Sequence, residues 1–348
     1  MPNDLRYPPR LRPGDRVGVF SPSSPGAARF PERLRQGVDA LARGLGVEVI
    51  VPAGATRATG FTAGSARERA AALSELVADE RIRAIFCTVG GFNSAEILPH
   101  LDAELLRRNP KVFVGYSDAT ALLVGVQALG GWVTFHGPAV LPQFGEHPAP
   151  FPFALRSLRA AVAEGEPLRA FEDPPAWTNE VLDWGTDAWR TRPRRMQTPA
   201  DRAVWRPGTG RGRLFGGNLE TLNLLVGTPF YHPPDDVVFF WEATREEAYL
   251  PRLRRALTHL RQSGLLHRTR AMLIGRSPYA APVEGVSLRD VVLEATDGLD
   301  FPVVADLAFG HTDPMLTLPL GVPFCVQAAA DGACAIYPCD APDSAGAS

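Results

Sequence analysis

The sequence predicts an α/β fold: an N-terminal open, mostly parallel sheet with flanking helices, followed by a smaller β-rich C-terminal domain. Three observations lead there. Short apolar runs alternate with amphipathic helical stretches through roughly the first 150 residues, the pattern of parallel βαβ units. At 348 residues the chain exceeds one ordinary core, so two domains are expected. A stretch from 142 to 212, rich in proline and holding Trp177, Trp184, Trp189 and Trp205, separates two such patterned regions.

The elements follow in order. Arg16 to Phe20 is apolar after a Pro-Gly turn and reads as a strand, ending in the hydroxyl-rich Ser21-Pro-Ser-Ser-Pro25. Glu32 to Gly44 has helical apolar spacing and stops at glycine. Glu48 to Val51 is the next strand, and Ala66 to Asp79 is a helix with Ala70, Leu73, Leu76 and Val77 on one face. Ile82 to Val89 is a strand that breaks at Gly90-Gly91, and Val112 to Val114 is another. Ala119 to Leu129 is helical, and Trp132 to Phe135 is again strand-like. From Gly212 a second unit begins. It holds a helix over Leu219 to Val226, a strand over Val237 to Trp241, a helix over Leu250 to Ser263, and strands over Ala271 to Ile274 and Pro302 to Ala305. The expected division is therefore an α/β domain over 1–165, a connector with a tryptophan-containing loop over 166–211, a second domain over 212–340 and a disordered tail over 341–348. A long loop inside an enzyme is functional or disordered, and its tryptophans favour function, because disordered tracts are poor in aromatics.

Composition narrows the chemistry. With 45 % hydrophobic residues and a formal net charge of -2, the chain reads as a globular protein that neither nucleic acid nor an anionic membrane would attract. Lys111 is the one lysine, at a strand start with no glycine loop before it, which argues against Schiff-base or P-loop chemistry. No Gly-x-Gly-x-x-Gly follows a strand, so the dinucleotide fingerprint is missing. Cys87 lies in an apolar run and reads as a buried reduced thiol, and none of Cys87, Cys325, Cys334 and Cys339 has metal-site spacing. The first residues carry no charged-then-apolar signal pattern, so a cytoplasmic enzyme is the expectation.

The chemistry concentrates at Gly115-Tyr-Ser-Asp-Ala119. Small residues two places either side of Ser117 leave room for a sharp strand-to-helix turn that projects a hydroxyl, the logic of the nucleophile elbow. Such a serine needs a base, and the base an orienting acid. Of seven histidines, His136 and His311 follow strands; His311, in the tight loop Gly310-His-Thr-Asp-Pro314, has the better context. Glu242 closes a run of five apolar residues, where a carboxylate is costly unless paired, and an imidazole would satisfy it. A salt bridge to Arg245 or Arg252 is the plainer alternative. The N–H groups of Gly91 and Asp118 are the candidate oxyanion donors. An α/β-hydrolase esterase shares the Ser…acid…His order, but its motif prefers Gly where Ala119 stands, and its upstream HGGG-type element is missing.

Together, Thr88-Val-Gly-Gly-Phe-Asn-Ser94, Gly115-Tyr-Ser-Asp118, Gly216-Gly-Asn-Leu-Glu-Thr-Leu222 and His311-Thr-Asp-Pro-Met-Leu-Thr-Leu-Pro-Leu-Gly321 resemble the serine LD-carboxypeptidase family, in one order over nearly the whole chain. Phe144-Gly-Glu-His-Pro148 and Trp177-Thr-Asn-Glu-Val-Leu-Asp-Trp184 are similar to its microcin C immunity branch rather than its murein-recycling branch. The resemblance implies a Ser117–Glu242–His311 triad shared between two domains, no metal or other cofactor, and a homodimer. It also implies substrate contacts from Trp184, stacking on a nucleobase, and from Asn218. The substrate implied is the amide of a peptidyl-aminoacyl-adenylate, with a murein tetrapeptide as the alternative. Trp241 stands where the family more often has an aliphatic residue, and Ala243-Thr-Arg-Glu-Glu247 replaces its usual acidic pattern.

Overall fold

A computed structural model describes residues 5–199 and 201–339; the expected tail at 341–348 lies outside the described residues. Two sheets organise the chain. The first contains β1 (Arg16–Phe20), β2 (Glu48–Ile50), β3 (Ile82–Cys87), β4 (Val112–Gly115) and β5 (Thr134–His136), all parallel, in the order β2-β1-β3-β4-β5. This order reverses between β1 and β3, and ligands of open α/β sheets bind beyond the carboxyl ends at such a point. The loops leaving β1 and β3 are Ser21–Ser24 and Gly90–Gly91, so the fold brings together the segments that the sequence marks.

Among the described residues the second sheet has seven strands. Its centre is parallel: β7 (Gly208–Asn218), β8 (Val237–Glu242), β9 (Thr269–Gly275) and β10 (Val303–Leu307). Helices Leu219–Leu225, Leu250–Gln262 and Leu288–Ala295 make the crossovers. Antiparallel strands finish both edges: β6 (Ala203–Arg206) beside β10, and β12 (Pro323–Ala328) with β13 (Cys334–Pro338) beside β7. β6 and the start of β7 belong to the segment read from sequence as connector. That reading missed β7 because five of its eleven residues are glycine, which strands ordinarily avoid. A disulfide joins Cys325 in β12 to Cys339, a pairing that the sequence spacing did not suggest. Cys87 is free and buried, as expected, and burial pushes its thiol up.

The lobes share a core. Helix Thr120–Gly130 follows Ser117 and is buried on nearly all sides, consistent with its almost unbroken apolar sequence. Its Leu122 and Leu123 belong to the same buried cluster as Leu219, Leu222 and Phe240 of the second lobe. One further strand, β11 (Leu318–Leu320), lies beyond His311 in the chain yet pairs antiparallel with β5, completing the first sheet. The other face of that sheet is covered by helices Pro31–Leu45 and Pro152–Val162, which bury Leu34, Leu41 and Leu158 against Val17, Val19 and Phe86. Among the described residues no helix is long and apolar enough to cross a membrane.

Candidate active site

Ser117 stands where β4 ends, in a single turn over Ser117–Ala119 that opens the helix Thr120–Gly130. Its backbone is left-handed, with φ 60°. A side chain there costs of order 1–3 kcal/mol unless its surroundings hold it, and such positions concentrate at reactive sites. The gain is exposure of the hydroxyl at the top of the sheet. The Gly90 loop packs directly against it: a Cβ at Gly90 would lie 2.8 Å from Ser117 Oγ and 3.2 Å from the Asp118 nitrogen.

Asp118 fastens these two segments. Its carboxylate Oδ2 accepts hydrogen bonds from the N–H groups of Asn93 (3.0 Å) and Ser94 (2.9 Å). Burial raises its carboxyl above the usual range, and hydrogen bonds from Ser23, Ser94 and Asn93 oppose that. Ser23 accepts from the N–H groups of Phe92 (2.9 Å) and Asn93 (3.1 Å), tying the loop after β1 into the same knot. The Gly91 and Asp118 segments therefore border Ser117 together.

The base and acid come from the second sheet. Glu242 is the last residue of β8 and is 1 % exposed. His311 lies in the loop after β10. Its Nδ1–H donates to Glu242 Oε2 at 2.5 Å, and Ser117 Oγ–H donates to its Nε2 at 3.1 Å. The carboxylate settles the tautomer: with the proton on Nδ1, Nε2 is free to accept. Gly310, at φ 92°, lets the loop close over the acid, because a Cβ there would come within 2.5 Å of Glu242 Cβ. Burial favours the neutral forms of this pair, but the opposite partner outweighs it. Glu242 is held below the usual carboxylate range, and His311 is raised above the usual imidazole value.

His136, the other histidine candidate, lies within β5 rather than after a strand. It is completely buried among the rings of Tyr116, Phe240 and Phe309, and burial lowers its pKa to about 4. Neither the Arg245 nor the Arg252 alternative for Glu242 occurs. Arg252 pairs with Glu220 at 2.6 Å, and the Arg245 guanidinium lies over Tyr279.

A cleft of about 530 Å³ opens over Ser117, Asp118 and His311. Trp184 is part of its wall, half-buried, edge-on to Phe30 and with the Arg33 guanidinium 4.5 Å from its ring centre. Arg33 also lies over Trp189, at 5.0 Å, and burial lowers its pKa to about 10, leaving it charged. Asn218, which the resemblance places at the substrate, ends β7. It is buried behind the wall; its Oδ1 caps helix Leu219–Leu225 at the Thr221 N–H, and its Nδ2 donates to Glu247 at 2.7 Å. Glu247 itself lines the cleft. The sequence reading did not single out Arg33 or Arg194, and it quoted Glu146 and Glu247 only within motifs; only the folded chain turns them toward the cleft.

Residues 17–137 match the N-terminal domain of LD-carboxypeptidases and residues 211–326 their C-terminal domain. The chain therefore belongs to the LD-carboxypeptidase family, the S66 serine peptidases. It is 32 % identical over 324 residues to the microcin C7 self-immunity protein MccF of Escherichia coli, covering 91 % of this chain and 92 % of that one. It is 30 % identical over 321 residues to the probable murein peptide carboxypeptidase of Bacillus subtilis, covering 91 % and 90 %. The solved structure of a tryptophan-to-phenylalanine mutant of MccF with adenosine monophosphate matches with a TM-score of 0.86 at 30 % identity, over 96 % of this chain and 98 % of that one. MccF has also been solved with aspartyl sulfamoyl adenosine.

Proposed function

We propose that this peptidase uses Ser117, His311 and Glu242 as a catalytic triad to cleave the amide of peptidyl-aminoacyl-adenylate compounds of the microcin C type. The observation that carries the mechanism is the unbroken hydrogen-bonded chain from Glu242 through His311 to Ser117 at the floor of the cleft. Ser117 Oγ attacks the amide carbonyl as His311 Nε2 takes its proton. The N–H groups of Gly91 and Asp118 hold the oxyanion. The tetrahedral intermediate collapses as the imidazolium gives that proton to the leaving amine. Water then repeats the sequence on the acyl-enzyme. Glu242 keeps the imidazole in its productive tautomer and stabilises its charged form.

The nucleotide part of the reading rests on Trp184 in the cleft wall and on the likeness to MccF, solved with aspartyl sulfamoyl adenosine and, as a tryptophan-to-phenylalanine mutant, with adenosine monophosphate. An indole face binds any base by stacking, at about 1–3 kcal/mol. Removal of a terminal D-residue from a murein tetrapeptide is the second reading, favoured by the likeness to the Bacillus subtilis protein. Catalysis without metal, action as a homodimer and a cytoplasmic setting complete the proposal. Mass-spectrometric product analysis, with an aspartyl-adenylate amide and a murein tetrapeptide side by side, tests it. We expect cleavage of the first, and Ser117→Ala to lower kcat/KM by about ten-thousand-fold or more. Turnover of the tetrapeptide alone would transfer the enzyme to the murein reading. Undiminished turnover in Ser117→Ala would remove the triad.

A further inference from the structure

A buried ionic node lies between the cleft wall and the loop that carries His311. Arg194 extends from the tryptophan-containing loop and is 13 % exposed in its side chain. Its Nη2 donates to Asp313 Oδ2 at 2.8 Å and pairs with Glu146 Oε2 at 2.5 Å. The two carboxylates are 9 % and 4 % exposed. Burial works against the charged guanidinium, but the carboxylates of Asp313 and Glu146 outweigh it and hold Arg194 firmly protonated. Three separate stretches meet here. Asp313 is two residues beyond His311, Glu146 belongs to the first lobe, and Arg194 to the loop between the lobes.

The same junction is stitched through the backbone. Thr178 N–H donates to Asp313 O at 2.7 Å, and Asp313 N–H donates to Thr178 O at 2.9 Å. The loop is braced internally by Arg192 on Glu180 (2.7 Å) and by the bridge between Trp177 and Gln197. Trp184 lies inside the segment so braced. A movement of this loop therefore pulls on the residue two places from the imidazole.

We propose that Arg194 is a positioning residue that clamps the tryptophan-bearing loop onto the His311 loop, so that the cleft wall and the general base are set as one unit. Its charge has a second effect. Around His311 stand Glu242 beneath Nδ1, Ser117 at Nε2, the Tyr116 ring at 5.1 Å, and the more distant charges of Glu247 and Asp313, with neutral His136 behind. Arg194 is the cation bonded to Asp313 and offsets it, with Arg33 acting on Asp313 from farther away.

This inference rests on His311 acting as the base, and its test is separable from that reading. Titration of the His311 imidazole by NMR needs no substrate. In Arg194→Met the uncovered Asp313 carboxylate should move the His311 midpoint to higher pH, by the equivalent of about threefold in proton affinity, while Asp313→Asn should move it lower. Chymotrypsin should cut the Trp177–Trp189 segment at least about tenfold faster in Arg194→Met than in the wild type, because the clamp no longer holds it shut. On whichever of the two substrates is turned over, Arg194→Met should lose about 10–100-fold in kcat/KM, and Arg194→Lys should recover part of it. If Arg194→Met does not fold, the Asp313→Asn titration decides alone. Unmoved imidazole midpoints, or a loop as resistant to cleavage as the wild type, would overturn the clamp. Ser117→Ala would still abolish turnover in that case, which keeps the triad reading apart.

Discussion

At the scale of single residues, His311 and Glu242 set the expected pH behaviour. In the proposed mechanism His311 must be neutral to accept the Ser117 proton. Its pKa is raised, since Glu242 overcomes the effect of burial. Activity should therefore rise with pH through a midpoint above the ordinary histidine value and fall away on the acid side of it. A pH profile of kcat/KM with its acid limb below pH 6 would contradict that pairing. Glu242→Gln keeps the shape but loses the charge and favours the wrong tautomer. By analogy with other triads, kcat should drop about ten-thousand-fold, with KM little changed. At this scale much was legible in sequence. Ser117 announces itself because a strained turn demands small neighbours, and Glu242 because a carboxylate has no business at the end of a buried strand. Asn218 was legible only as part of a motif; spacing carries no record of the hydrogen bonds its amide makes with Thr221 and Glu247.

Elements explain how such distant groups meet. Strands β4, β8 and β10 all deliver their carboxyl ends to one edge, so Ser117, Glu242 and His311 converge although 194 positions separate the first from the last. The His311 loop fits over Glu242 only because Gly310 has no side chain. Gly310→Ala should displace the imidazole and lower kcat/KM at least about 100-fold. Gly227, at φ 83° with open space around it, is the control. Gly227→Ala should cost about 1 kcal/mol in stability and leave turnover intact. Steady-state kinetics beside thermal unfolding separate the two, and equal losses of activity in both would mean that strain alone, not the approach to Glu242, matters at Gly310. The long βαβ elements of the first lobe were readable from periodicity. β7 was not, because its glycines hide it, and neither was β11, which has three residues and pairs with β5 far back along the chain; the β12–β13 hairpin also went unread.

For the whole molecule the decisive fact is that the two lobes are not independent. Helix Thr120–Gly130 contributes to a core that includes both, the Thr120 hydroxyl accepts from the Asn218 N–H at 2.9 Å, and β11 crosses back to finish the first sheet. The expected boundary near 212 describes the sequence pattern but not this exchange. Leu318, fully buried in β11, should on replacement by Ala cost about 2–5 kcal/mol. That loss should appear as one lowered transition, with hydrogen exchange accelerated in β4 and β8 alike. Two resolved transitions, with only β4 loosened, would show lobes that unfold separately.

The return of β11 also bears on how the protein is made. The edge of β5 that Leu318–Leu320 will cover is left bare until synthesis has passed Leu320. The serine is made well before the strand that seals the sheet beneath it, which follows the imidazole by only a few positions. A chain cut short before His311 would thus lack both the imidazole and the strand that closes the sheet.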